Sequence, residues 1–215
     1  MRHHLLISGT GRAGTTFLVQ LLTELGLDTG FASSSDDVDA NCSAGMEHPA
    51  QCIADGTAPY IVKSPGFCEN LDYVMQLTDV KIDFLVICVR DLFSAAESRR
   101  RVSALAKDSK ARGSLWGTKR PREQEAVLAR KFYDLVYTSV KYGIPTLWLH
   151  FPRFVRDPEY LYESIKPAIG STGHRDFMNA FRKVSAPHLV HEFKNPNAIG
   201  VLADAKTWIQ SKLRK

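Results

Sequence analysis

An α/β domain with a central parallel sheet and helices on both faces is the fold class this sequence predicts. Two observations predict it. Short continuous apolar runs alternate with longer segments of helical spacing, and a glycine loop joins the first run to the first helix. The runs at 4–8, 60–63, 84–89 and 146–150 are partly β-branched or aromatic and bounded by Gly, Pro or charge, as strands buried on both faces are. Helical spacing covers 15–25, 71–77, 92–105 and 123–142, the last opening after Pro121 and stopped by Gly143 and Pro145. Two more helices are predicted at 158–169 and 175–184, and the tail at 201–213 reads as a basic amphipathic helix. Residues 31–59, with "SSSDDVDANCS" and little periodicity, are long for a connection in a compact domain, and they are read as a lid or acceptor-binding insertion.

The composition bounds the function. With 215 residues, 44% hydrophobic and 24% charged, the chain suits one domain over 1–215 with a full core. A net charge of +5 favours anionic partners mildly but is too small to read as a nucleic-acid footprint. Met1 leads straight into a strand-like run, and no apolar run approaches about 20 residues. The expectation is a cytoplasmic protein with no membrane partner. Cys42, Cys52, Cys68 and Cys88 show no C-x-x-C spacing, so neither a metal site nor a disulfide framework is expected.

The loop "SGTGRAGTT", Ser8 to Thr16, stands between a strand and a helix, where the backbone N–H groups of residues 11–16 can converge on an anion. Gly9 and Gly14 have the separation of an ATP-binding loop, yet Thr15 stands where that loop carries its lysine and Arg12 is the loop's cation. A dinucleotide fingerprint fits less well. Gly9, Gly11 and Gly14 match G-x-G-x-x-G, but Glu24 and Asp28 come too early to be the acid that ends a second strand.

"GTGRAGTTFL" resembles the 5'-phosphosulfate loop of the PAPS-dependent sulfotransferases, whose ligand is 3'-phosphoadenosine 5'-phosphosulfate. "VICVRDLFSAAES" resembles that family's second motif, a strand ending in Arg with Ser eight residues on, here Arg90 and Ser98. "LHFPRFVRDPEYLYESI" resembles a later strand-to-helix stretch, and the likeness runs in order over residues 1 to 170. The resemblance implies a P-loop NTPase-like three-layer α/β/α fold. It also implies PAPS as cofactor with no metal, held by Gly11, Arg12, Ala13, Gly14, Thr15 and Thr16 at the 5' end and by Arg90 and Ser98 at the 3'-phosphate. An Arg at a strand end and a Ser two turns into the next helix can meet on one phosphate.

"YIVKSPGF" resembles the family segment whose strand-end lysine lies by the transferring group, which makes Lys63 catalytic beside Arg12. The need is for in-line geometry, cations on developing charge, and a base for the acceptor hydroxyl. The family's base positions hold Val62 and Pro65 here, neither able to take a proton, so the base is sought in "GMEHPA", at Glu47 or His48. His48 is named, since an imidazole with a pKa of about 6.5 suits the task. "KARGSLWGTKRPRE" loosely resembles the family's nucleotide-covering loop, out of chain order, and offers Arg112, Gly113 and Trp116 as lid residues.

The expected activity is therefore sulfuryl transfer from PAPS to a hydroxyl or amine on a small-molecule or carbohydrate acceptor. The alternatives are a P-loop small-molecule kinase, with Asp91 as its stand-in metal ligand, and a non-catalytic nucleotide-binding protein. Asp36, Asp37 and Asp39 make the insertion acidic within a basic chain, so charge does not name the acceptor. No heptad run bears on the oligomeric state.

Overall fold

The computed structural model describes residues 1–39, 42–106, 111–191 and 193; the tail helix expected at 201–213 lies outside them. In chain order the elements are β1 (Arg2–Gly9), α1 (Thr15–Glu24), a ribbon of β2 (Val38–Asp39) and β3 (Ala44–Gly45), α2 (Gln51–Ala54), β4 (Ile61–Lys63), α3 (Phe67–Met75), β5 (Val80–Val89), α4 (Leu92–Leu105), α5 (Gln124–Lys141), β6 (Thr146–His150), α6 (Pro158–Ile165) and α7 (His174–Val184). The main sheet has the order β4-β1-β5-β6 and every pair in it is parallel.

The continuous apolar runs are explained by two-sided burial. In β1, Leu5 and Ile7 enter one core and Leu6 the other; in β5, Val86 and Cys88 enter the first, Leu85 and Ile87 the second. Successive strand side chains point to opposite faces, so a strand covered on both sides must be apolar at every position. The first core is closed by Leu18 and Leu21 of α1, Leu161 of α6 and Phe177 of α7. The second is closed by Phe67 and Leu71 of α3 and Leu135 of α5. Each such side chain contributes roughly 1.5–3 kcal/mol on burial. The result is the expected three-layer α/β/α arrangement.

Boundaries moved for local reasons. β5 begins at Val80 rather than 84, because Val80, Lys81 and Ile82 pair with Arg2, His3 and His4 before an irregularity at His4/Leu5. α3 begins at Phe67 rather than 71, with Phe67, Cys68, Leu71 and Val74 on one buried face. α6 ends at Ile165, and Lys166–Ala168 tightens into a 3-10 turn around Pro167, which has no N–H to continue the ladder. The insertion at 31–59 carries the β2–β3 ribbon and α2, and its Met46 is fully buried in the first core. Strands two residues long are too short to show any periodicity.

This strand order positions the site. The connection leaving β1 runs to β4 on one side, and the one leaving β5 runs to β6 on the other. Ligands of open α/β sheets bind at such a reversal, outside the carboxyl ends of the strands. Among the described residues no helix is long and apolar enough to cross a membrane.

Candidate functional site

The loop between β1 and α1 is built from unusual backbone. Gly11 and Gly14 have φ of 70° and 78°, and Arg12 joins them in the left-handed region at 57°. A residue with a Cβ is held there at a cost of about 1–2 kcal/mol. A Cβ on Gly14 would stand 2.8 Å from the Phe154 ring and 2.9 Å from Phe151, so the loop lies directly on the aromatic core. Gly14 opens α1 without any side-chain cap. The start of a helix bears unsatisfied N–H groups and a partial positive charge, and here it faces a cleft of 610 Å³.

Five cations line that cleft: Arg12, Lys63, Arg90, Arg99 and Arg112. Arg12 donates from Nη1 to the Cys42 carbonyl at 2.5 Å and from Nε to Ser98 Oγ at 3.1 Å. Arg90 donates from Nη1 to the Arg12 carbonyl at 2.6 Å and from Nη2 to the His191 carbonyl, with its guanidinium 4.7 Å from the Phe151 ring centre. Arg99 donates to the Ser114 carbonyl at 2.7 Å and the Thr10 carbonyl at 2.9 Å, and lies 5.2 Å from the Trp116 ring centre. Lys63 is fully buried and donates to the Gly45 carbonyl at 2.6 Å, to Glu47 Oε1 at 2.9 Å and to Thr16 Oγ1 at 3.3 Å. Burial pulls the Arg12 pKa down. It pulls Arg99 down to about 10, with Arg12 adding to the effect. Burial also lowers Lys63, against the opposing pull of Glu47. Among the described residues neither Arg12 nor Arg99 pairs with a carboxylate; both spend their donors on backbone carbonyls and a hydroxyl.

The residues singled out in the sequence fall as follows. Gly11, Arg12, Gly14, Thr15, Thr16, Lys63 and Arg90 line the cleft together. Ala13 turns its methyl into the first core, which leaves only its backbone for a ligand. Ser98 is buried beneath Arg12 and meets Arg90 through it, since Arg12 donates to the Ser98 hydroxyl and accepts from Arg90. His48 is not among the cleft-lining residues: its ring packs on Phe31 at 4.8 Å, and its backbone N–H donates to the Lys63 carbonyl at 2.9 Å. Burial, then Lys63, lowers the His48 pKa, so the ring is neutral at pH 7. Its neighbour Glu47 does line the cleft, paired with Lys63. Arg112 bonds Asp37 across the cleft mouth at 2.7 Å, Gly113 sits against Arg12, and the Trp116 ring lies between Arg99 and Lys131. The Cys68 and Cys88 thiols are both pushed up to about 12 by burial and stay protonated at neutral pH.

Two features escaped the sequence reading. Arg99 shares the buried face of α4 with Ala95 and Ser98, which puts Ala95, Ser98 and Arg99 at i, i+3 and i+4. That spacing was the available signal, hidden in the run Arg99-Arg100-Arg101. The segment from Ala186 to Val190, which forms one wall of the cleft, carried no signal.

The fold and the cleft define an α/β domain with a glycine loop and a cation-lined cleft at its strand ends. No protein-family model matches the chain, and no curated protein matches it. Among solved structures, the sulfotransferase domain from the Synechococcus PCC 7002 olefin synthase is similar, with a TM-score of 0.48 and 15% identity over 92% of this chain and 82% of that one. At that identity the likeness assigns no residue a role.

Proposed function

We propose that the protein is a sulfotransferase that moves a sulfuryl group from PAPS to a hydroxyl or amine of a small-molecule or carbohydrate acceptor. The observation that carries this reading is the pair Arg12 and Arg99, the first half-buried and the second buried, beside the uncapped start of α1 without a carboxylate partner among the described residues. Buried charge of that kind is costly unless an anion compensates it. The donor set fits a phosphorylated nucleotide, and Phe17, Phe151, Val155, Leu189 and Val190 supply an apolar wall for a base.

PAPS supplies the sulfuryl group. The backbone of residues 11–16 and Thr15 would hold its 5' end, and Arg90, with Ser98 behind Arg12, its 3'-phosphate. Arg12 and Lys63 place positive charge where the bond to the leaving group breaks. Glu47 takes over the part first given to His48: its carboxylate lines the cleft 2.9 Å from Lys63 Nζ and can receive the acceptor's proton. A kinase needs a lysine at 15 and an acid free to hold metal. Asp91 instead accepts from the Ser94 N–H at 2.8 Å and caps α4.

Titration with adenosine 3',5'-bisphosphate and with Mg-ATP separates the readings. Metal-independent binding of the bisphosphate, followed by sulfuryl transfer from PAPS to a member of an acceptor panel, supports this one. Mg-dependent ATP turnover overturns it in favour of a kinase, and binding of neither nucleotide overturns both.

A further inference from the structure

Arg99 uses its two terminal nitrogens on two different loops, bonding the Thr10 carbonyl of the phosphate loop at 2.9 Å and the Ser114 carbonyl at 2.7 Å. It is only 6% exposed, and its Nε is buried without a hydrogen-bond partner. Gly11 rests on it so closely that a Cβ there would stand 2.3 Å from Nη2. A trans peptide points its C=O and the following N–H in opposite directions. By drawing the Thr10 carbonyl to itself, Arg99 turns the Gly11 N–H away from the guanidinium. Arg90 does the same for Ala13 by holding the Arg12 carbonyl at 2.6 Å. With positive φ at Gly11, Arg12 and Gly14, successive N–H groups arranged this way form an anion-binding concavity.

We propose that Arg99 is a positioning residue: its fork holds the Thr10 and Ser114 carbonyls together, presenting the Gly11 N–H to the ligand's anion and seating the 111–116 segment over Arg12. Gly113 of that segment lies where a Cβ would be 3.2 Å from the Arg12 side chain, so one guanidinium sets both the floor and the cover of the cradle. The inference rests on the loop being the anion site of the proposed function. It is specific to arginine, because a lysine offers a point charge that cannot bridge two carbonyls in fixed geometry.

The test is a titration of the full chain with inorganic pyrophosphate followed by amide NMR, with Gly11 and Thr16 as reporters and thermal melting as the folding control. In the unmodified protein both amides shift. In Arg99→Ala affinity falls about tenfold or more and the Gly11 shift is lost while that of Thr16 persists; Arg99→Lys lies between. A purely stabilising arginine would not single out Gly11. An unchanged Gly11 shift with unchanged affinity in folded Arg99→Ala, or equal loss at Gly11 and Thr16, overturns the proposal. If Arg99→Ala does not fold, Arg99→Lys decides by the same criteria, and its failure to fold overturns the proposal, since the residue would then hold the fold rather than the loop. No shift at residues 10–16 in the unmodified protein sinks this inference and the reading beneath it together. Pyrophosphate binding without sulfuryl transfer from PAPS sinks that reading alone.

Discussion

The two ends of the main sheet treat charge in opposite ways. At the amino ends of β1 and β5, Arg2 pairs with Asp79 at 2.7 Å, His3 with Asp83 at 2.9 Å and Lys81 with Asp83 at 3.8 Å. These pairs are part-exposed and self-contained, and surface pairs of this kind contribute little. At the carboxyl ends, Arg12 is half-buried and Arg99 buried, and both are turned onto backbone carbonyls and a hydroxyl. Lys63 has a carboxylate, but it also reaches the Thr16 hydroxyl at the end of the glycine loop. One end is electrically finished by the chain itself. At the other, Arg12 and Arg99 have no carboxylate partner among the described residues, which is the observation on which the proposed anion site rests.

That contrast breaks most sharply at Arg12. Arg12→Ala is expected to lower sulfuryl transfer from PAPS by about two to three orders of magnitude while the melting temperature is kept, since the left-handed strain at position 12 stays with any Cβ and the lost bonds to Cys42 and Ser98 are offset by removal of a desolvated charge. An unchanged rate would place the catalytic charge elsewhere. Arg90→Ala is expected next, with a loss of roughly ten- to a hundred-fold in affinity for adenosine 3',5'-bisphosphate and much less for the analogue lacking the 3'-phosphate. Equal losses for both ligands would make Arg90 only a holder of the Arg12 carbonyl. Ser98→Ala should show the same selectivity more weakly.

Thr15→Lys sharpens the comparison by adding charge to the end already rich in it. Turnover should fall by about tenfold or less, because one more fixed cation strengthens nucleotide binding in the ground state; a faster enzyme would mean the cradle was short of charge. The smallest effect is expected at the other end. Arg2 lowers the Asp79 pKa chiefly through its hydrogen bond. A carboxylate whose folded pKa lies below its unfolded value contributes stability at pH above about 4 and loses it as pH falls through the folded value. Asp79→Asn should therefore lower the melting temperature slightly at neutral pH, flatten its acid decline, and leave bisphosphate affinity untouched. A change in that affinity would show that the two ends are coupled.

Much of the site was legible because its signals are local. The glycine loop is nine consecutive residues from Ser8 to Thr16, and its glycines answer to dihedrals each residue must adopt by itself. The spacing of Arg90 and Ser98 reads off one strand end and one helix. Choosing between Glu47 and His48 was another matter. The two are adjacent, and which one faces the cleft depends on the turn after β3, where Met46 takes a φ of 53°. Arg99 was illegible for a similar reason: in a run of three arginines, only the face of α4 that packs inward decides which is buried.

The sequence by itself determined the alternation of strand and helix, the two-sided burial of the sheet, the place of the glycine loop, and a threonine where an ATP site needs lysine. All of these follow from periodicity and backbone freedom within a few residues. Only the tertiary structure decided that Arg99 reaches back 89 residues to Thr10, that Lys63 meets Glu47 across 16, and that Arg90 spans 101 to His191. Such contacts carry no periodic trace. Their geometry exists only once separate elements have packed and the dry space between them has set which polar groups must find one another.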